Sequence, residues 1–142
     1  MAKVLVALAF WLSFHPLIAG GDDWEKARSI AQAQHEIVML LIKNKQYDKV
    51  FSESKKIFAL GFPVEREHLL LSHTHEVNDF LIRAGQYPLA HQILDEAMKW
   101  VRSNKSKADL HKEKAYVYRK EGKDSDAMEA FKKAVALEES GP

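Results

Sequence analysis

"AGQYPLAHQILDEAM", Ala84 to Met98, joins the end of one helix to most of a second through a tight corner. Gly85 permits the change of backbone sign that such a corner requires, and Pro88 suits the first turn of the helix that follows, where its missing N–H is not needed. Ala90 and Ala97, seven residues apart, lie on one face of that helix. Antiparallel helices joined by so short a corner approach closely only where side chains are small, so these alanines are the expected contact points, with Tyr87 packed under the corner.

The corner recurs. "IKNKQYDKVFSESKKIFALGFP" (Ile42–Pro63), "IRAGQYPLAHQILDEAMKW" (Ile82–Trp100) and "KEGKDSDAMEAFKKAVALEE" (Lys120–Glu139) superpose with Lys45, Gly85 and Gly122 at the corner. Lys45 to Gly85 is 40 residues and Gly85 to Gly122 is 37, within the range of about 20 to 50 that marks stacked supersecondary units. Ala127 and Ala134 repeat the spacing of Ala90 and Ala97.

Within each unit the apolar period is helical. Ile30, Ala31, Gln34, Ile37, Val38, Leu41 and Ile42 form a stripe on a helix from about Trp24 to Asn44, capped by Asp22 or Asp23. Val50, Phe51, Ile57, Phe58 and Leu60 mark a second, closed by Gly61 and Pro63. The next pair spans about Glu65–Ala84 and Pro88–Arg102, and "SNKS" at Ser103–Ser106 reads as a polar break. The last spans about Lys107–Glu121 and Ser125–Glu138, with Asp124 or Ser125 as cap and Ser140-Gly141-Pro142 as stop. The expected fold is all-α: six helices in three antiparallel pairs, at about residues 24–62, 65–103 and 106–139.

These residues resemble the tetratricopeptide repeat. The third unit fits best, with Ala115 in its first helix and Gly122, Ala127, Phe131, Ala134 and Leu137 after it; the second fits at Gly85, Tyr87, Ala90, Ala97 and Trp100. The first is degenerate, with Lys45 for the glycine, Val50 and Ile57 for the alanines and Ser54 for the aromatic. Both spacings exceed the family's usual length. The resemblance spans Trp24 to the C-terminus, within a helical domain at residues 22–142, and implies a short right-handed superhelical solenoid used as a non-catalytic protein-binding adaptor or scaffold, with no cofactor.

Composition narrows the rest. With 142 residues, 46% hydrophobic and 29% charged, the chain suits one globular domain. Its 21 basic and 20 acidic side chains give a formal net charge of +1, without the basic footprint that nucleic-acid binding requires. Zero cysteines exclude disulfides, thiolate metal sites and thiol catalysis. "MAKVLVALAFWLSFHPLIAGG", Met1–Gly21, places Lys3 before an apolar run, Pro16 after it, and small residues at Ala19, Gly20 and Gly21. That is the layout of a secretory signal over residues 1–20; a membrane anchor or an ordinary first helix are the alternatives. An exported (periplasmic or secreted) or membrane-anchored location is therefore expected.

No phosphate-cradling loop, nucleophile elbow or zinc-protease signature occurs, so no catalytic residues are assigned. His68 and His75, seven apart, with Asp79 four further on, form a weak metal alternative, while His73 points elsewhere on that helix. Met39, Phe51, Phe58, Met98 and Phe131 read as packing. The resemblance implies a concave groove lined by His35, Met39 and Lys43, then His75, Asp79 and Arg83, then Lys112, Tyr116 and Lys120. Lys43, Arg83 and Lys120 would form a basic row suited to an acidic peptide or helix of a partner protein. The family's clamp for chaperone C-termini is not matched: Lys112 alone conforms, and His35, Met39, Asp79 and Tyr116 depart from it. Finally, the last helix carries Glu129, Lys132 and Lys133 on one face. Either it caps itself, or the exposed end pairs with a partner or a second copy, which leaves a structural, self-assembling subunit as a further alternative.

Overall fold

The structure is a computed structural model that describes residues 22–142, so the signal-like segment at residues 1–20 lies outside it. The described chain is helical: α1 (Asp22–Lys43), α2 (Tyr47–Phe58), a single 3-10 turn (Val64–Arg66), α3 (Glu67–Arg83), α4 (Tyr87–Trp100), α5 (Asn104–Lys120) and α6 (Asp124–Glu139). No strand occurs among the described residues. None of these helices is long and apolar enough to cross a membrane.

The three corners share one backbone geometry. Lys45, Gly85 and Gly122 adopt φ of 57°, 71° and 76°, the left-handed conformation that closes a helix by the Schellman arrangement. The amides of Gln46, Gln86 and Lys123 each donate to a carbonyl five residues back, at 2.8, 2.8 and 2.9 Å. Those of Lys45, Gly85 and Gly122 donate to a carbonyl three residues back, at 3.0, 2.9 and 3.0 Å. This satisfies carbonyls that a helix end would otherwise leave orphaned. The backbone then enters the next helix without a side-chain cap: Gln46, Gln86 and Lys123 occupy the cap position, so neither Asp124 nor Ser125 caps α6.

Small side chains face each other after the corners, as expected. Ala90 and Ala97 are fully buried, as are Val50 and Ile57 at the corresponding places in the first pair, and Ala127 and Ala134 nearly so. In the third pair Ala115 meets Ala127 and Ala130, and α5 and α6 share the most extensive contact of any two helices. Tyr87 is half-buried against the core. Two expectations fail. Phe131 is 38% exposed instead of packed, and Ile30 and Ile37, assigned to the buried stripe of α1, are 46% and 44% exposed. The stripe is wider than the single face that α2 and α3 cover.

The pairs stack with α1 beside α3 and α3 beside α5, so the first helices stand in a row; α2 packs on α4, and α4 on α5. The two junctions differ because their linkers differ. Residues 59–66, with the 3-10 turn, separate α2 from α3, whereas only 101–103 separate α4 from α5. "SNKS" is the start of α5 and not a break before it: the extended Ser103 accepts the Ser106 amide at 3.1 Å through its hydroxyl.

A buried carboxylate holds that second linker. Glu67, 2% exposed in the first turn of α3, accepts from the Arg102 amide at 2.6 Å and the Ser103 hydroxyl at 2.8 Å. Burial alone would raise its pKa; hydrogen bonds from the Ser103 and Ser106 hydroxyls and the Arg102 amide outweigh this and hold it below the ordinary carboxylate range. Glu67 therefore stabilises the fold above its unfolded pKa, and that contribution is lost as pH falls through the lowered value.

Two measurements check this account. Nothing lies within 4 Å of a Cβ added at Gly122, so Gly122→Ala carries only the conformational penalty and lowers unfolding stability by about 1 kcal/mol, whereas Lys45→Gly relieves the same penalty and raises stability by a similar amount. Glu67→Ala leaves the Arg102 and Ser103 amides without their acceptor and costs about 3 kcal/mol in urea denaturation.

Candidate functional site

The row of first helices presents a continuous strip, and its residues fall into three groups. On α1, His35 donates Nε2–H to Glu76 of α3 at 3.1 Å, while its Nδ1 lies 2.6 Å from Nδ1 of His73. One proton arrangement accounts for both contacts: His73 donates from Nδ1, and His35 accepts at Nδ1 and donates from Nε2, while the buried Nε2 of His73 has no partner among the described residues. His73 is 7% exposed, with its ring edge-on to both His35 and Phe58. Burial, and secondarily the charge of His35, push its pKa from 6.5 to about 3. A hollow of about 550 Å³ opens beside these rings, lined also by Arg28, Gln32 and Ser72.

Between α3 and α5, His75 pairs with Glu113 at 2.5 Å, and the hydrogen bond and charge of that carboxylate raise its pKa. This pair repeats the first in register. His35 and His75 are 40 residues apart and Glu76 and Glu113 are 37 apart, the same spacings as the corners, so a His–Glu rung joins each first helix to the next. Lys112, in register with the two histidines, is paired with Glu138 of α6.

At the corner end, α1 and α3 enclose a second hollow of about 520 Å³ walled by Met39, Leu40 and Phe80, with Lys43, Lys45 and Arg83 at its rim. Leu40 is 54% and Phe80 41% exposed. Glu36 lines both hollows.

The nine residues expected to line one groove are thus only partly brought together. Met39, Lys43 and Arg83 share the corner hollow; His35 and His75 are rungs between helices; Lys112, Tyr116 and Lys120 stand apart on α5. Lys43, Arg83 and Lys120 do not make one free cationic row. Arg83 is held by Asp79 at 2.6 Å one turn back and stacks on Phe80, and the Lys120 ammonium sits 5.2 Å from the Tyr116 ring centroid. Arg83 and Lys120 thus find partners on their own helices, three or four residues back, whereas Lys43 has no ion-pair partner among the described residues. The metal alternative also dissolves: Asp79 is taken by Arg83 and His75 by Glu113, His68 is exposed, and no group of three metal-binding side chains occurs among the described residues.

Leu40 and Phe80 were not singled out by sequence, and Lys45 and His73 were read there only as a corner residue and as a side chain pointing away from His68 and His75. Leu40 and Phe80 did carry a signal, since each stands five residues before its corner. His73 carried one as well: three after Leu70 and four before Val77, it is placed by helical spacing on the buried face.

His73 and His75 of α3 oppose each other in pH dependence. His73, with its folded pKa depressed, destabilises the fold increasingly as pH falls from about 6.5 toward about 3. His75, with its folded pKa raised, adds stability that is present below its unfolded value and lost as pH rises through the raised one; at 74% side-chain exposure its effect is small. Urea denaturation of the wild type is expected to lose about 1 kcal/mol per pH unit between about pH 6 and pH 5, and His73→Leu to remove most of that slope. An unchanged slope in the variant would place the acid sensitivity elsewhere.

No protein family, curated protein or solved structure matches the chain.

Proposed function

We propose that this chain is a non-catalytic binding module, tetratricopeptide-like in organisation, that holds an acidic segment of a partner protein in the corner hollow between α1 and α3. The observation that carries this reading is the pairing of exposed apolar walls, Leu40 and Phe80, with the cationic rim of Lys43, Lys45 and Arg83. Lys43 and Lys45 have no carboxylate partner among the described residues. A large apolar side chain flanked by carboxylates is the complementary ligand: its apolar part takes the place of water on Leu40 and Phe80, and its charges meet ammonium groups that have no internal competitor. What supports the solenoid reading is the threefold recurrence of one corner geometry and the row α1, α3, α5. The layout of residues 1–20 supports an exported or membrane-associated setting.

Selection of displayed peptides on the full chain tests the proposal. Enriched sequences are expected to carry Asp or Glu around one aliphatic or aromatic residue. Lys43→Glu and Phe80→Ser, both at exposed positions, should each weaken the selected peptide about tenfold, equivalent to about 1.4 kcal/mol. Enrichment of basic peptides, or binding indifferent to both variants, would sink the assignment.

A further inference from the structure

The outward face of α6 is apolar although, among the described residues, this helix packs on one side only. Toward α5 it buries only Ala127, Ala130 and Ala134, while Met128, Phe131 and Val135 are 58%, 38% and 50% exposed. These three fall on one stripe and line a hollow of about 670 Å³ bordered by Arg119 and Lys132. At the other end of the stack α1 exposes Ile30 and Ile37, also on one stripe. Among the described residues α6 has extensive contact with α5 alone.

An interface already inside the molecule shows what such faces hold. α4 grips α5 through His91, which pairs with Glu121 and stacks on Tyr118 at 4.3 Å, and through Asp95, which pairs with Lys114. Leu94, between them, is 1% exposed. Advancing by the 37-residue corner spacing carries His91, Leu94 and Asp95 onto Met128, Phe131 and Lys132; going back by both spacings carries Lys114 onto Ile37. The stripe on α6 thus occupies the positions that hold a following helix, and Ile37 occupies one that is held by a preceding helix.

The charges continue in the same sense. Each rung runs from a first helix to the next, His35 to Glu76 and His75 to Glu113. In the same register Lys112 follows His75 at the α5 end, and Glu36 precedes Glu76 at the α1 end. Both are exposed, and Glu36 has no ion-pair partner among the described residues. Opposite signs stand where the next rung would form.

We propose that copies of this chain stack head to tail, with the α5–α6 end of one copy on α1 of the next. Met128, Phe131 and Val135 meet Ile30 and Ile37, and Lys112 of the first copy exchanges Glu138 for Glu36 of the second. The contact joins two different surfaces, so repetition gives a ring or an open filament and not a closed twofold dimer.

The chain has no cysteine, so introduced thiols report without background. The full chain carrying Ile37→Cys and Met128→Cys together, treated with a short bis-maleimide, is expected to give a ladder of dimers, trimers and higher species, while each single-thiol chain gives none. In the double-thiol chain Phe131→Glu should reduce the ladder about tenfold. Lys112→Glu or Glu36→Lys should each reduce it, and the two together should restore it. Absence of a ladder, whether because copies do not meet or because other residues cover either face, overturns the proposal. So does a crosslinked dimer from Met128→Cys alone, which would mean a twofold α6–α6 contact. A ladder indifferent to both charge reversals overturns the register.

Discussion

Everything in this fold follows from a left-handed residue placed between two helices. At Lys45, Gly85 and Gly122 the chain must reverse within a few residues, and the positive φ lets the last amides of one helix satisfy that helix's own carbonyls while the next begins. The reversal brings the two helices of each pair side by side. Whatever faces inward just beyond the corner must then be small or well fitted, which is why Ala90 and Ala97, Ala127 and Ala134, and in the first pair Val50 and Ile57 occupy equivalent places. The first pair shows how far the constraint bends: it keeps a lysine in the left-handed conformation and fills the contact with branched side chains.

Stacking is a separate problem, solved mostly by polar groups. Glu67 ties the start of α3 to the linker before α5, and the two His–Glu rungs join α1 to α3 and α3 to α5. These pairs set register more than they add stability, because the rung carboxylate Glu76 and the His75 ring are largely exposed. The deeply buried His73 is different. It is held neutral by its surroundings and makes the α1–α3 junction sensitive to acid in the opposite sense from the His75 rung.

The corner hollow and the outer stripe of α6 are two consequences of the same stacking. Between α1 and α3 the side chains at the corner end do not meet, which leaves Leu40 and Phe80 at a cationic mouth. At the ends of the row, positions that are covered inside the stack carry apolar side chains with no described neighbour. The proposed ligand and the proposed contact between copies are compatible, because the corner hollow and the ends of the row use different faces of the helices.

Sequence alone determined the helices, the three corners and the alanines at the pair contacts, because these depend on local periodicity and on backbone conformations available to few residues. That Met39, Lys43 and Arg83 lie near one another was implied by the resemblance of these residues to a known repeat. What it did not determine was which side of each helix is covered. Ile30, Ile37 and Phe131 have the periodicity of buried residues and are exposed, because burial depends on a neighbour that periodicity does not encode. For the same reason Arg83 and Lys120 look free in the sequence but are held by Asp79 and Tyr116, and Glu67 looks like an ordinary surface residue but is buried. Helical phase is a local property; the environment of a face is set by how the pairs pack, which only the tertiary structure decides.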